Sequence, residues 1–320
     1  MNFCKKSVSF NAARDIPPLD GKVILVTGGN IGLGKQCVLE YARHNPAQIW
    51  LAARNLDKAR AAADEINAQL PKDKPSPTIK LLQLDLSSLE SVQTAARTVQ
   101  AESTRLDILM LNAGVMAVPP GLTRDGYELQ FGTNYLGHAL LAKLLHPLLE
   151  RTAAAATVPE ADVRIIMLSS HGHVYAPKPE GIRFETLRTT ADALGPYGRY
   201  GQSKLAMILW VRHMARLLDP QRFTVVAIHP GIVRTNLMNN ATGSPLAVRV
   251  LGKVASHLVT PVDQGVKNQL WASVSREVQS GEYYEPVGIA GCATELGRDD
   301  ALAERLWEWT ENELARFVGT

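Results

Sequence analysis

The chain has 320 residues, 46% hydrophobic and 20% charged, with 24 Gly and 18 Pro. That composition excludes a collagenous, low-complexity or disordered chain, and the length suits one large α/β domain or two small ones. The 34 Lys+Arg against 31 Asp+Glu leave a formal net charge of +3, too dilute for the basic face of a nucleic-acid binder, so no nucleic-acid partner is expected. Cys4, Cys37 and Cys292 are spaced too widely for a disulfide framework or a zinc site and point to a reducing, cytoplasmic setting. The opening MNFCKKSVSFNAARDIPPLDGK lacks an apolar h-region, and no long apolar run follows, so neither a secretory signal nor a membrane span is expected.

Apolar runs rich in β-branched residues recur at Lys22–Gly28, Gln48–Ala53, Ile79–Leu86, Leu106–Asn112, Val163–Ser169 and Phe223–His229, with a seventh at Gly281–Glu285. Runs apolar on both faces suit strands buried in a parallel sheet. Helical patterns lie between them at Gly34–His44, Asp57–Leu70, Leu89–Glu102, Leu136–Arg151 and Tyr200–Leu218. The alternation predicts an α/β fold: a single Rossmann-like, doubly wound, parallel seven-stranded sheet with helices on both faces. Residues 1–20 read as an irregular leader and 21–320 as one catalytic domain. Insertions at 171–199 and 236–260 fall on the side where such sheets bind ligands. Within the second, Ser244–Leu258 reads as an apolar helix.

The first strand runs into Thr27-Gly28-Gly29-Asn30-Ile31-Gly32-Leu33-Gly34 and then a helix. Glycines allow a sharp turn and close approach of the backbone to a pyrophosphate, which the free amides of a helix N-terminus also favour. The second strand ends Ala52-Ala53-Arg54. An acidic residue there would bond a ribose 2′-OH; an Arg accommodates a 2′-phosphate. Arg54 therefore points to NADP(H), with Asn30 and Lys35 as further candidates near that phosphate.

Tyr200 and Lys204 are four residues apart on a helical pattern and share a face. A free phenol has a pKa near ~10, and a neighbouring ammonium lowers it, which suits a general acid/base acting on a carbonyl or alcohol. Ser169 and Ser170 close the fifth strand, where a hydroxyl can bond a substrate oxygen.

The TGxxxGxG spacing resembles the short-chain dehydrogenase/reductase family. Asn112-Ala113-Gly114 resembles its NNAG motif, with Leu111 replacing the first Asn. Tyr200–Lys204 resembles its YxxxK motif, and Pro230-Gly231 through Thr235 its PGxxxT turn. AARNLDKA, FGTNYLGHALL, SGEYYEPVG and LWEWTENEL resemble the retinol-dehydrogenase-like and WW-domain-oxidoreductase-like branch, fungal members in particular, which often act in secondary metabolism. The resemblance implies that Gly28, Asn30, Ile31, Gly32 and Gly34 hold the pyrophosphate side of the cofactor. It implies that Asp85 and Leu86 meet the adenine, that Asn112, Ala113 and Gly114 flank the ribose, and that Pro230, Gly231, Val233 and Thr235 fix the nicotinamide. It selects Ser170 over Ser169 and makes Asn134, Ser170, Tyr200 and Lys204 the catalytic set, Asn134 linking Lys204 to solvent.

The expected activity is NADP(H)-dependent hydride transfer to or from a carbonyl or alcohol of a hydrophobic small molecule. An NADP(H)-binding scaffold or sensor without turnover, and a non-redox cyclase or dehydratase on the same fold, are the alternatives; retention of all four catalytic residues favours the redox enzyme. Family dimers often pair the helices at 136–151 and 200–218, so the chain is a homodimer, or a monomer if the insertion covers that face. His171 and His173 lack further ligands for a metal and read as pocket wall. His138 reads as an ordinary helix residue, and Trp307 and Trp309 as the packing face of a C-terminal helix.

Overall fold

A computed structural model describes residues 7–71, 76–155, 162–231, 233, 242–243 and 260–318. The strands are β1 (Val23–Thr27), β2 (Gln48–Ala53), β3 (Thr78–Gln83), β4 (Ile108–Leu111), β5 (Val163–Leu168), β6 (Phe223–Ile228) and β7 (Tyr283–Tyr284). They form one seven-stranded sheet in the order β3-β2-β1-β4-β5-β6-β7, and every pairing is parallel. All residues of β1, β4 and β5 are buried, as a sheet covered on both faces requires.

The helices are α1 (Gly32–Ala42), α2 (Leu56–Asn67), α3 (Leu89–Glu102), α4 (Gly137–Ala155), α5 (Gly195–Leu217), α6 (Lys267–Val274) and α7 (Asp300–Val318). Alternation along the strands sorts the core into two layers. Leu25, Trp50, Leu109 and Ile165 pack with α3, α4, α5 and α7 on one face. Ile24, Leu51, Ile108 and Ile166 pack with α1, α2 and α6 on the other. Each fully buried aliphatic side chain of this kind contributes about 1.5–3 kcal/mol. Strand order reverses between β1 and β4, which leaves a crevice above their carboxyl ends.

α5 starts at Gly195, before the expected Tyr200, with Pro196 in its first turn, where a missing N–H costs nothing. The stretch after β5 is ordered into short turns at His171–Tyr175, Phe184–Thr186 and Asp192–Leu194 and buries Ile182 and Leu187. Residues 7–20 lie against the domain: Phe10, Ile16 and Leu19 are buried, and the Val8 amide donates to the Val287 carbonyl at 2.9 Å. The expected helix at Ser244–Leu258 and nearly all of the 236–260 insertion lie outside the described residues.

α7 covers α4 and α5. Leu302, Leu306 and Leu314 are buried, and Trp309 packs edge-on against Phe131 at 5.7 Å between ring centroids. Asp300 pairs with Arg212 and Arg216, and Glu311 with Lys143. Among the described residues no helix is long and apolar enough to cross a membrane.

Candidate active site

A cavity of about 820 Å³ opens over the carboxyl ends of β1, β2, β4, β5 and β6. Its floor is the glycine turn. Gly28 has φ +66°, a conformation that favours glycine. A Cβ on Gly34 would stand 2.3 Å from the Gly28 carbonyl oxygen and 2.6 Å from Asn112 Nδ2, so only glycine allows this approach. Ile31 precedes α1 and offers no side-chain cap. The amides of Gly32, Leu33 and Gly34 therefore face the cavity without protein acceptors among the described residues. A cradle of free amides at a helix N-terminus fits a pyrophosphate.

Thr27 and His138 lock the floor in place. Thr27 Oγ1 accepts from the amides of Asn112 at 2.8 Å and Ala113 at 2.9 Å. It also bonds His138 Nε2 at 2.9 Å, while His138 Nδ1 bonds the Asn134 carbonyl at 2.8 Å. A carbonyl only accepts, so Nδ1 carries the proton and the Thr27 hydroxyl donates to Nε2. Burial holds the imidazole neutral, its pKa pushed down to about 3. His138 is thus no ordinary helix residue: it ties β1 to Asn134. Its spacing of four from Asn134 was the available signal. The Asn112 side chain is consumed in the same scaffold, donating to the Thr27 carbonyl at 2.7 Å and accepting from Gln269 at 3.0 Å.

At the end of β2, Ala53 is buried and Arg54 is exposed at the cavity with no ion pair to any described residue. Lys35 differs: its ammonium pairs with Glu65. Leu86 lines the cavity, but Asp85 does not. The Asp85 carboxylate is turned to Ser87, accepting from its amide at 3.0 Å and its hydroxyl at 2.7 Å. Asn30, Ile31, Ala113, Gly114, Pro230, Gly231 and Val233 all reach the cavity, whereas Thr235 lies outside the described residues.

Tyr200 and Lys204 project from α5 into the same cavity as Ser170. Ser170 stands beside Tyr200, where its hydroxyl opposes the upward effect of burial on the phenol, and caps the turn after β5 by accepting from the Gly172 amide at 3.0 Å. Ser169 is spent elsewhere, its hydroxyl donating to the Lys204 carbonyl at 2.8 Å. Lys204 Nζ donates to the Leu168 carbonyl at 2.6 Å and lies 5.7 Å from the centre of the Tyr200 ring.

The expectation that Lys204 lowers the Tyr200 pKa is not met in this geometry. Burial pushes the Tyr200 phenol up to about 12, against the opposing bond from Ser170, and pushes the Lys204 ammonium down to about 7. Both groups lose solvation, and the ammonium spends a proton on a backbone carbonyl instead of facing the phenol.

Asn134 lies in a widened π turn over Gly132–Leu136 and is fully buried. Its side chain accepts from the Val115 amide at 2.8 Å and donates to the Val115 carbonyl at 2.9 Å and to Ser203 at 2.9 Å. It does not line the cavity, yet a Cβ on Gly114 would meet both Asn134 Oδ1 at 3.1 Å and Lys204 Nζ at 3.7 Å. Asn134 and Lys204 therefore flank one backbone position.

No sequence pattern marks Gly172. A Cβ there would stand 2.7 Å from Tyr200 Cε1. Gly172→Ala is expected to displace the ring and lower kcat on the order of 10²-fold, since ångström-scale misplacement has that effect. Cofactor titration should give an unchanged affinity; a kcat within threefold of the parent would refute the contact's importance.

Residues 22–175 match the family model described as short chain dehydrogenase. A short-chain dehydrogenase/reductase of Aspergillus calidoustus is 38% identical over 94% of this chain and 96% of its own length. Retinol dehydrogenase 13 of Homo sapiens is 35% identical over 98% of this chain and 90% of its own. Among solved structures, a protein from Mycobacterium paratuberculosis superposes with a TM-score of 0.70 at 27% identity, covering 95% of this chain and 97% of that one. NADPH-bound carbonyl reductase from chicken fatty liver shares the fold at 22% identity, with a TM-score of 0.59 over 83% of this chain and 96% of that one. With the glycine cradle and the Ser170–Tyr200–Lys204 cluster in one crevice, these likenesses place the chain in the short-chain dehydrogenase/reductase family of oxidoreductases, in its retinol-dehydrogenase-like branch.

Proposed function

We propose that the protein is an NADP(H)-dependent carbonyl reductase, or the corresponding alcohol dehydrogenase, for a hydrophobic small molecule. The observation that carries this reading is the cluster of Ser170, Tyr200 and Lys204 beside a cradle whose outer end presents Arg54, which has no ion pair among the described residues. The free amides of Gly32, Leu33 and Gly34 would hold the pyrophosphate, and Arg54 the 2′-phosphate through charge-assisted bonds. When bound, the cofactor supplies or accepts a hydride.

Tyr200 gives its phenolic proton to the carbonyl oxygen as the carbonyl carbon is reduced to an alcohol. Ser170 donates a hydrogen bond to that oxygen, where charge develops. Lys204, whose pKa sits at about 7, replaces the Tyr200 proton from solvent. Asn134 fixes the Val115 wall beside Lys204. Val115, Met116 and Val118 give this side of the cavity its apolar character.

The test is deuteride transfer from C4-deuterated NADPH to compounds in an extract of the source cells, read by mass spectrometry. A labelled alcohol supports the reading. Tight NADPH binding with no labelled product across extracts would leave a scaffold or a non-redox enzyme. Arg54→Gln is expected to raise the NADPH KM by about 10- to 100-fold, as loss of a charge-assisted contact implies, with little change for NADH. Equal losses with both cofactors would remove Arg54 from 2′-phosphate recognition. The cover that α7 gives α4 and α5 predicts a monomer, which light scattering on the purified chain would check; a stable dimer would refute it.

A further inference from the structure

We propose that Glu285, with His229 and His171, forms a recognition site for a hydroxyl group on the substrate, so that the substrate class is a hydroxylated carbonyl compound or its alcohol. This deepens the hydride-transfer reading and rests on it for the identity of the cavity's occupant.

One wall of the cavity, at Val115, Met116 and Val118, is apolar. The opposite wall brings together His171 after β5, His229 after β6 and Glu285 after β7, all lining the cavity that holds Ser170 and Tyr200. Three strand ends thus deliver two imidazoles and a carboxylate to one corner.

The Glu285 side chain is 20% exposed. Its Oε2 accepts from the Tyr283 hydroxyl at 2.6 Å, and its Oε1 bonds His171 Nδ1 at 2.8 Å. No Lys or Arg among the described residues pairs with it. An ionised carboxylate has about four acceptor positions. Two are occupied by described residues, and Glu285 lines the cavity with room for a further donor.

His229 is the second half of the site. It is 12% exposed, and its Nε2 stands 3.9 Å from Glu285 Oε1. That is too long for a direct hydrogen bond. It is the right span for one hydroxyl oxygen placed about 2.8 Å from each atom. The oxygen would donate its proton to Glu285 and accept from His229 Nε2–H. Burial keeps His229 neutral, its pKa pushed down to about 4, so the ring has one donor and one acceptor nitrogen.

The pattern also excludes ligands. A carboxylate or phosphate at this corner would face Glu285 with like charge, and a purely hydrocarbon end would leave the carboxylate without its third donor. Sites built to bond a substrate hydroxyl discriminate strongly against analogues that lack it.

The experiment compares matched probes. NADP+-saturated protein is titrated calorimetrically with benzyl and naphthyl methanols, their ring-hydroxylated forms and their ring-carboxylated forms. The corresponding aldehydes are tested as substrates with NADPH. A hydroxylated probe at the right ring position should bind about 10- to 100-fold more tightly than its parent, the range of a hydrogen bond to a charged group. Glu285→Gln keeps the shape and an acceptor for Tyr283, and should reduce that ratio toward one. His229→Leu, an independent variant, should do the same. Carboxylated probes should bind most weakly.

The proposal is overturned if no hydroxylated probe exceeds its parent, or if both variants retain the preference. Binding preference without turnover of any aldehyde would keep this site and remove hydride transfer. Turnover without the preference would do the reverse.

Discussion

Tyr200→Phe is expected to reduce kcat by about 10³-fold, within the 10²–10⁴-fold range of general acid–base catalysis, while NADPH binding stays nearly unchanged. The argument is one of position. The Tyr200 phenol lines the cavity together with Ser170 and Lys204, with the Lys204 ammonium 5.7 Å from its ring centre. Its own pKa, near 12 in this geometry, keeps it protonated, which suits the reducing direction, where it must donate. Phenylalanine keeps the ring, and with it the packing over Gly172. Steady-state kinetics beside fluorescence titration of NADPH separates the two effects. A variant that retains a tenth of the parent kcat would remove Tyr200 as the acid.

The second large effect concerns stability. Glu128→Ala is expected to destabilise the fold by about 3–5 kcal/mol, the usual consequence of leaving one member of a buried ion pair alone. The Arg199 and Glu128 side chains are 2% and 1% exposed, with Nε 3.4 Å from Oε1. Arg199 also donates to the Val118 carbonyl at 2.9 Å, and Glu128 Oε2 accepts from the Phe131 amide at 2.7 Å. The pair therefore ties the residue before Tyr200 to the wall at Val118 and to the segment that leads into Asn134. Burial raises the Glu128 pKa despite the amides and Arg199 that oppose it, so the carboxylate resides at a cost that only its partners offset. Replacing both residues, Glu128→Leu with Arg199→Met, should recover most of the loss, because two apolar groups leave no charge behind. Urea titrations of these two variants beside the parent decide the matter. A single-variant loss below 1 kcal/mol, or a double variant no better than the single, would show that the charges are not coupled.

Much of this protein is written in local patterns. Hydrophobic runs such as Val23–Thr27 and Ile108–Leu111 suit strands covered on both faces. The glycine turn and the four-residue spacing of Tyr200 and Lys204 are local too, so the sequence specified the sheet, the cradle and the pair on α5. No local pattern marks α6, which is short and buries polar Asn268 and Gln269, whose partners, His229, Tyr284 and Asn112, lie at the ends of distant strands. His138 reads as a plain helix residue until α4 is laid across β1 and Thr27 becomes its partner.

What only the tertiary structure decided are properties that depend on neighbours remote in the chain. The pKa values of Tyr200 and Lys204 run against the expectation from their spacing, because desolvation by the whole crevice outweighs one adjacent charge. Ser169 is set apart from Ser170 because its hydroxyl is taken by the α5 backbone at Lys204, whereas Ser170 lines the cavity with Tyr200. The polar corner of Glu285 and His229 exists because β6 and β7 are adjacent in the sheet, a fact of strand order that no local pattern encodes. Sequence periodicity fixes which residues face inward; which of them then meet, at what distance and with how little water, is set by packing between elements far apart along the chain.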